Sequence, residues 1–250
     1  MTTLILALAA GAVVGLALGG LGGGGSMLAV PALVYLLGFS PARATTASLL
    51  IVAATSLTGL VAHARAGRVR WRTGALFAAA GLPAAAAAGA LSAHVPSALL
   101  TAAFAVLAAL AAWRMLAPRR DAGEEERSAA GPARSTAAGA GLGAVTGLLG
   151  VGGGFLAVPA LVSVLAFTMA EAVGTSLLVI TANSLAALVP RLGATAAIDW
   201  AVAAPFTGAA ILGAWDGKRL ADRLSGRTLQ KAFAFALLGV AGLMLVTALH

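Results

Sequence analysis

Few side chains within the apolar stretches of this sequence could do chemistry, and they are mostly hydroxyls and amides. They gather in two stretches of matching layout, in which Ser48 and Thr55 are followed 128 residues later by Ser176 and Asn183. These groups can donate hydrogen bonds to the oxygens of an anion, although a helical Ser or Thr also bonds its own i−4 carbonyl or a neighbouring helix. An Asn within an apolar helix must find partners, and we therefore favour Thr55 and Asn183 for contact with a substrate.

Two glycine-rich stretches offer a second kind of binding site, made of backbone. The first is "GGLGGGGSMLAVP" at 19–31, and the second is "GLLGVGGGFLAVP" at 147–159. Each Gly destabilises a helix by about 1 kcal/mol relative to Ala, so four in succession predict a helix break at 22–25. Half-helices that start near Ser26 and near Gly154 would present free N–H groups and a positive dipole end, which bind anions, and Ser26 is of a type that caps such a helix. The predicted substrate-binding residues are Gly23, Gly24, Gly25, Ser26, Gly152, Gly153, Gly154, Ser48, Thr55, Ser176 and Asn183.

Other chemistries fit the sequence less well. The glycines at 20, 22 and 25 match the dinucleotide pattern G-x-G-x-x-G, but that pattern needs an acidic residue about 20 positions on, and the first acid is Asp121. Neither His63, in a basic loop, nor His94, near Pro96, suggests a metal site. The apolar stretches contain no Ser/His/Asp set, HExxH motif or pair of carboxylates. We therefore predict that the chain is not an enzyme and binds no cofactor or metal.

Acidic residues are informative because residues 1–120 contain none of them. A carboxylate cage for a cation therefore cannot come from the first half of the chain. The acids near the apolar stretches are Glu171, Asp199, Asp216 and Asp222, which all lie at the ends of those stretches. We expect each to be solvated or paired with a nearby Arg. If protons are carried, Asp199 and Asp216 are the best candidates.

The composition decides the class of protein. Of the 250 residues, 60% are hydrophobic and 10% are charged, and the mean hydropathy is +0.99, whereas a soluble domain has about 25% charged residues. Runs such as 73–93 and 96–113 approach the roughly 20 residues that cross a bilayer as a helix. The sequence therefore predicts an all-α polytopic protein of the lipid bilayer, and we expect the cell inner (plasma) membrane. The pI of about 11.6 comes from basic residues in short loops, which set topology rather than bind nucleic acid.

The chain is a duplication. Residues 19–61 placed on 147–189 give 24 identities in 43 positions, and the block "LAVPALV" occurs in both copies. We predict a first transmembrane repeat at 1–116, a cytoplasmic linker at 117–134, rich in charge, Pro, Gly and Ser, and a second transmembrane repeat at 135–250. Each repeat consists of a Gly-broken helical element and three transmembrane helices. The predicted apolar runs are 4–20, 26–38, 44–62, 73–93 and 96–116 in the first repeat, and 135–149, 153–168, 172–190, 197–217 and 228–249 in the second.

Basic residues predict how the repeats face. Of the 16 Lys and Arg, 14 form three clusters, at 65–72, 114–134 and 218–231, and basic loops stay on the cytoplasmic side. All three clusters share that side if the Gly-rich element enters and leaves the membrane on one face, since each repeat then crosses an odd number of times. We therefore prefer an inverted repeat with both termini outside, and a parallel four-plus-four duplication is the alternative. Arg43 and Arg191 lie outside the clusters, and we expect them to anchor at the interface.

The two glycine elements, each at the start of a repeated half and each followed by "LAVPALV", resemble the sulfite exporter TauE/SafE family of membrane anion transporters. The resemblance covers nearly the whole chain. It implies export or uptake of small anions, either sulfur-containing, such as sulfite, thiosulfate or sulfonates of the sulfoacetate type, or carboxylated. The copies differ at Gly23 and Val151 and at Ser26 and Gly154, so the two half-sites are not chemically identical.

We therefore predict a secondary transporter of small anions that works by alternating access between its halves. Its pseudo-symmetric site is expected where the two glycine breaks approach each other. A passive anion channel is the alternative. A co-transported proton or sodium ion and a homodimeric assembly remain open, and no nucleic acid partner is expected.

Overall fold

The chain folds into a bundle of α-helices. The computed structural model describes residues 2–92, 97–116, 131–148, 154–189, 191, 195 and 198–249. Within these residues lie ten α-helices and no β-strand: α1 (Thr2–Leu21), α2 (Ser26–Pro31), α3 (Pro41–Arg65), α4 (Trp71–Ser92), α5 (Ser97–Leu116), α6 (Pro132–Leu148), α7 (Gly154–Ser163), α8 (Met169–Leu188), α9 (Trp200–Arg223) and α10 (Gly226–Leu249). A 3-10 turn (Gly22–Gly25) joins α1 to α2, and a π-helical turn (Ala32–Leu36) follows α2. The prediction of an all-α protein is confirmed.

Each predicted apolar run corresponds to one of these helices, and the differences lie at the ends. The run at 197–217 is α9, which continues to Arg223 because a helix need not stop where its sequence becomes charged. The run at 153–168 is α7, which ends at Ser163 and is followed by the turn into α8. Most of the predicted linker, 117–130, lies outside the described residues, and α6 begins at Pro132.

Four helical segments of the described chain are long and apolar enough to cross a membrane. They are Thr2–Leu21, Arg43–Arg65, Trp71–Ala90 and Met169–Leu188. Together with the all-helical fold they support the predicted multi-pass membrane protein. The short helices α2 and α7 have 6 and 10 residues, which is too few to span a bilayer at 1.5 Å per residue.

Glycines form close contacts between helices. Three glycines of α1 pack against the backbone of α9, and three glycines of α6 pack against the backbone of α4, with four-residue spacing that places each set on one helix face. The contacting pairs are Gly11 with Phe206, Gly15 with Ala210, Gly19 with Ala214, Gly139 with Phe77, Gly143 with Gly81, and Gly147 with Ala85. A Cβ at any of the six would come closer than 3.0 Å to the partner's carbonyl oxygen. Residue numbers rise together in each set, so α1 runs parallel to α9, and α6 runs parallel to α4.

Helices α3 and α8, which occupy equivalent places in the two repeats, pack in opposite directions. Ser56 of α3 lies 2.9 Å from Thr181 of α8, measured between the hydroxyl oxygens. Seven residues further along α3, His63 lies against Gly174, which is seven residues earlier in α8. Equivalent helices that run antiparallel are what an inverted repeat requires. These contacts favour the inverted arrangement over the parallel one.

The described basic residues of the three clusters lie at one end of the bundle, which we call the basic end. Helices α3, α5 and α9 end there, and α4, α6, α8 and α10 begin there. Arg68, between α3 and α4, pairs with Asp222 near the end of α9. Arg70 pairs with Glu171 at the start of α8 at 2.5 Å. At the same end, Gln230 of α10 donates a hydrogen bond to the Met115 carbonyl near the end of α5. Arg43 and Arg191 lie at the opposite end, at the start of α3 and after α8.

Single cysteines would test this arrangement, since the chain contains no native cysteine. Ala221 is buried and would label poorly, whereas Ala66, Ser225 and Ser40 are exposed. We expect Ala66→Cys and Ser225→Cys to react with a membrane-impermeant maleimide from the same, cytoplasmic side. Ser40→Cys, at the opposite end, is expected to react from outside. Labelling of Ser225→Cys from the same side as Ser40→Cys would rule out the inverted repeat.

Candidate functional site

The first glycine stretch forms a 3-10 turn, Gly22–Gly25, that reverses the chain after α1. Gly22 has a φ of +69°, a left-handed conformation that Gly adopts without the steric penalty of a Cβ. Gly25 packs on the backbone of Leu18 in α1 so closely that a Cβ would come closer than 3.0 Å. The expected break of the helix at these glycines is therefore present. Helical geometry resumes within the glycines, before Ser26 is reached.

The structure differs from the expectation that Ser26 caps α2. The Ser26 hydroxyl donates to the carbonyl oxygen of Gly23 at 2.8 Å, and no side chain caps the start of α2. The capping prediction is wrong because the 3-10 turn places Ser26 one turn inside the helical segment. The helical segment that contains Ser26 thus begins at Gly22, directly after the last residue of α1.

Equivalent positions of the two repeats meet where the two half-helices begin. Ser26 is the first residue of α2 and Gly154 is the first residue of α7, 128 positions later. A Cβ at Gly154 would lie 2.9 Å from the Ser26 hydroxyl oxygen and 2.8 Å from Cγ1 of Ile180. In an inverted repeat, two positions that are equivalent by the repeat and touch each other would lie at the pseudo-two-fold axis between the repeats. The starts of α2 and α7 therefore face each other at that axis.

A hydroxyl of α8 joins the glycine turn. A Cβ at Gly22 would lie 2.5 Å from the Ser176 hydroxyl oxygen, and Ser176 itself donates to the Val173 carbonyl at 2.8 Å. Of the predicted site residues, the structure thus brings together Gly23, Gly24, Gly25, Ser26, Gly154 and Ser176. Gly152 and Gly153 lie outside the described residues. We call the assembled group, from Gly22 to Ser26 with Gly154 and Ser176, the glycine site.

The hydroxyls of α3 are bonded within their own helix. Ser48 donates to the Thr45 carbonyl at 2.9 Å, and Thr55 donates to the Ile51 carbonyl at 2.6 Å. Such bonds are the common structural use of a helical Ser or Thr. A role of Ser48 and Thr55 in substrate binding stays a prediction.

Asn183 lies beside a different space. Its side-chain oxygen is buried and has no hydrogen-bond partner among the described residues. It faces a small cavity between α4, α6 and α8. The cavity is lined by Phe77, Ala78, Gly81, Gly139, Leu142, Gly143, Thr146, Val179 and Asn183. None of these belongs to the glycine site, so a contact between Asn183 and a substrate stays a prediction.

Two buried polar residues at the contact between α3 and α8 were given no role by the sequence analysis. Thr181 is bonded to Ser56 across α3 and α8, but its equivalent in the first repeat is Ala53, so the repeat comparison did not mark it. His63 is not in a loop, as predicted, but in the last turn of α3 with 1% of its surface exposed. Its spacing of seven residues from Ser56 places it on the same helix face, and that periodicity was the available signal.

The acids that the sequence places at the ends of apolar stretches have structural partners, although Asp216 lies within α9. Asp199 caps α9 by accepting a hydrogen bond from the Ala201 N–H at 3.0 Å, and exposed Asp216 pairs with Arg219 at 3.2 Å. Glu171 forms a capping box with Thr168 at the start of α8. These contacts match the expectation of solvated or Arg-paired carboxylates.

Asp222 is shared by two cations at the basic end, outside the four candidate spans. Lys218 donates to one carboxylate oxygen at 2.6 Å, and Arg68 pairs with the other. Desolvation alone would raise the pKa of Asp222, but the hydrogen bonds and charges of Lys218 and Arg68 outweigh it and hold the pKa below its usual range. Asp222 therefore joins α9 to the segment between α3 and α4 as a carboxylate.

Comparison with known proteins agrees with this architecture. The family model described as "Sulfite exporter TauE/SafE" matches residues 7–244. Two proteins of Xylella fastidiosa, from strains 9a5c and Temecula1, are each 34% identical over 245 residues, covering 96% of this chain and 94% of theirs, and each is named "Probable membrane transporter protein". No solved structure matches the chain.

The match to a family of transporters covers nearly the whole chain, which also agrees with the prediction that the protein is not an enzyme. This chain is a multi-pass membrane protein that belongs to the sulfite exporter TauE/SafE family of membrane transporters.

Proposed function

We propose that this chain is a secondary transporter of small anions in the inner (plasma) membrane, and that the anion binds at the glycine site. The observation that carries the proposal is the contact between Ser26 and Gly154, which brings the starts of two half-helices together at the pseudo-two-fold axis. Free N–H groups and the positive dipole end at a helix start favour an anion. Broken helices that meet at a repeat interface are the usual place of a transporter's substrate site.

The surroundings of the glycine site suit a negative ligand. The described side chains closest to Gly22 and Gly154 are the hydroxyls of Ser176 and Ser26 and the apolar side chains of Val158 and Ile180. No carboxylate occurs in residues 1–120, and each described carboxylate of the second repeat caps a helix or pairs with a cation. In this conformation the hydroxyls of Ser26 and Ser176 donate to the carbonyls of Gly23 and Val173, and on rotation they can donate to an oxyanion instead. Inside apolar walls, water does not weaken such hydrogen bonds.

The family supports the substrate class. Sulfite, thiosulfate, sulfonates of the sulfoacetate type and small carboxylates all present several oxygens that can accept bonds from N–H and O–H donors at once. We propose this class as the cargo.

The packing favours a carrier over a passive channel. Gly22, Gly23, Gly25 and Gly154 are buried, so an anion reaches them only if the surrounding helices move. The glycine contacts join α1 to α9 and α4 to α6, which makes two bundles that each hold helices of both repeats. We propose that alternating access is the movement of these bundles against each other along the α3 and α8 contact.

Thermal unfolding of the purified protein with a panel of anions tests this proposal. A true ligand at about 100 times its Kd stabilises the folded state by about 2.7 kcal/mol, so we expect one of sulfite, thiosulfate, sulfoacetate or a small carboxylate to raise the Tm, and sodium chloride at equal ionic strength to leave it unchanged. To bind the anion, the Ser26 hydroxyl would exchange its bond to the Gly23 carbonyl for one to the anion. Ser26→Ala is therefore expected to weaken binding of that anion about tenfold, the effect of a hydrogen bond to a charged group worth about 1.5 kcal/mol. Asn183→Ala, measured beside it, decides whether Asn183 belongs to the site. No stabilisation by any member of the panel would contradict the proposal.

A further inference from the structure

We propose that His63 is a proton-binding residue of this transporter, and that proton uptake at His63 promotes opening of the basic end toward the glycine site. The inference rests on the proposed function and adds the coupling ion and the residue that binds it. It starts from the His63 side chain, which is titratable and buried. Among the described residues, one of its ring nitrogens has no hydrogen-bond partner.

The geometry fixes how the closed structure holds this ring. His63 is 1% exposed, and its Nε2 lies 3.0 Å from the carbonyl oxygen of Gly19 in α1. A carbonyl only accepts, so Nε2 carries the hydrogen and donates it. The other nitrogen, Nδ1, is buried without a hydrogen-bond partner in the described structure. Gly19 comes three residues before the reversal at Gly22, so His63 holds the end of α1 beside the glycine turn.

The charged groups around the ring come from three elements. Arg68, in the segment after α3, and Lys218 and Asp222 of α9 face His63. The start of α8 contributes Glu171, which is bonded to Arg70. α1 and α2 contain no charged residue. Two cations and one carboxylate thus face the ring, and the carboxylate is already bonded to both cations.

Protonation of His63 does not fit this closed arrangement. The added hydrogen on Nδ1 would have no acceptor, and the added charge would lie near Arg68 and Lys218. A conformation in which the basic end opens and water reaches Nδ1 binds the proton better. A ligand shifts a protein toward the conformation it binds better, and the coupling acts in both directions. Proton binding and opening at this end are therefore linked.

The carboxylates favoured by the sequence as proton carriers have other uses. Asp199 caps α9, and Asp216 is exposed and paired with Arg219. Neither is buried, whereas His63 is. Histidine is also the type of side chain whose unperturbed pKa lies between pH 5 and 8.

Uptake of labelled thiosulfate into proteoliposomes tests the coupling, because the charge of thiosulfate does not change between pH 5 and 8. We expect wild-type uptake to vary about 5-fold or more between pH 5 and 8, the low end of ordinary coupling between two sites, and to respond to an imposed proton gradient. His63→Gln keeps an N–H donor for the Gly19 carbonyl but cannot titrate. Thiosulfate uptake by this variant is expected to be the same across the pH range and not to respond to the proton gradient. Asp216→Asn removes a titratable group at the same end and should behave as wild type. A pH profile in His63→Gln equal to that of wild type would overturn the inference.

A second readout does not depend on thiosulfate being the cargo. The chain contains three histidines, so His94→Gln combined with His250→Gln leaves His63 as the single imidazole for 15N NMR in detergent. We expect that ring to titrate between about pH 5 and 8, with faster exchange of its N–H with water once it is charged. A ring that stays neutral and protected over that range contradicts the inference even if anion transport is established. A titrating ring together with absent anion uptake would instead place the failure in the proposed function.

Discussion

Gly143→Ala is expected to destabilise this protein strongly, although it adds a single methyl group. The Cβ would lie closer than 3.0 Å to three backbone atoms of Gly81 in α4, and backbone atoms cannot rotate away as a side chain can. Inserting a methyl group into a packed contact costs about 1–3 kcal/mol. In a chain of this size each kcal/mol lowers the Tm by about 2–4 °C. Thermal unfolding in detergent, followed by loss of monodisperse protein, measures the effect.

Gly141→Ala is the matched control because it lies in the same helix two residues away. Nothing lies within 4 Å of a Cβ at Gly141, so only the helix propensity changes, and Ala is favoured over Gly by about 1 kcal/mol. We expect Gly141→Ala to be as stable as wild type or more stable. Equal behaviour of the two variants would show that the close approach of α4 and α6 does not exist in the protein.

Gly22→Ala is expected to abolish transport. The φ of +69° at this position costs an L-residue about 1–2 kcal/mol. The Cβ would also lie 2.5 Å from the Ser176 hydroxyl oxygen and 3.3 Å from Cα of Val173. Either the Ser176 hydroxyl or the glycine turn must therefore shift, and both belong to the geometry proposed to bind the anion. Uptake and the anion-induced rise in Tm are the measurements.

Gly38→Ala separates the clash from the backbone strain. Gly38 has the same φ of +69°, but nothing lies within 4 Å of its Cβ. Its equivalent in the second repeat, Ala166, already holds a φ of +56°. We therefore expect Gly38→Ala to transport the anion at a rate close to that of wild type. If both variants lose transport alike, or if neither does, the packing of Gly22 against Ser176 is not what the function requires.

Much of this architecture could be predicted from the sequence because it follows from local rules. Apolar runs bounded by charge and glycine predict helices wherever the chain lies in a bilayer, and a repeat at 128 residues predicts that they come in matching sets. The four-residue spacing of Gly11 and Gly15 is typical of closely packed membrane helices, and the structure uses both positions in this way. Four glycines in succession, Gly22–Gly25, predicted the break that the structure contains.

The site itself was only partly predictable, because it depends on contacts between distant segments. The sequence cannot show that a 3-10 turn places Ser26 inside the helical segment, where its hydroxyl bonds Gly23 instead of capping α2. It cannot show that Asn183 faces a cavity between α4, α6 and α8, since that depends on the rotation of α8. The basic residues that surround His63 in the sequence suggest a loop. Only the fold shows that His63 lies in the last turn of α3 and is buried against Gly19.

Uptake of a labelled anion into proteoliposomes tests the central claim most directly: this family member carries small anions through the glycine site. The anion is the one that raises the Tm in the panel, and Gly38→Ala and Gly22→Ala are reconstituted beside the wild type. We predict uptake that saturates with anion concentration in the wild type and in Gly38→Ala, and no uptake above empty liposomes in Gly22→Ala. Uptake that rises linearly without saturation would indicate a channel, and undiminished uptake by folded Gly22→Ala would show that the anion does not pass through the glycine site.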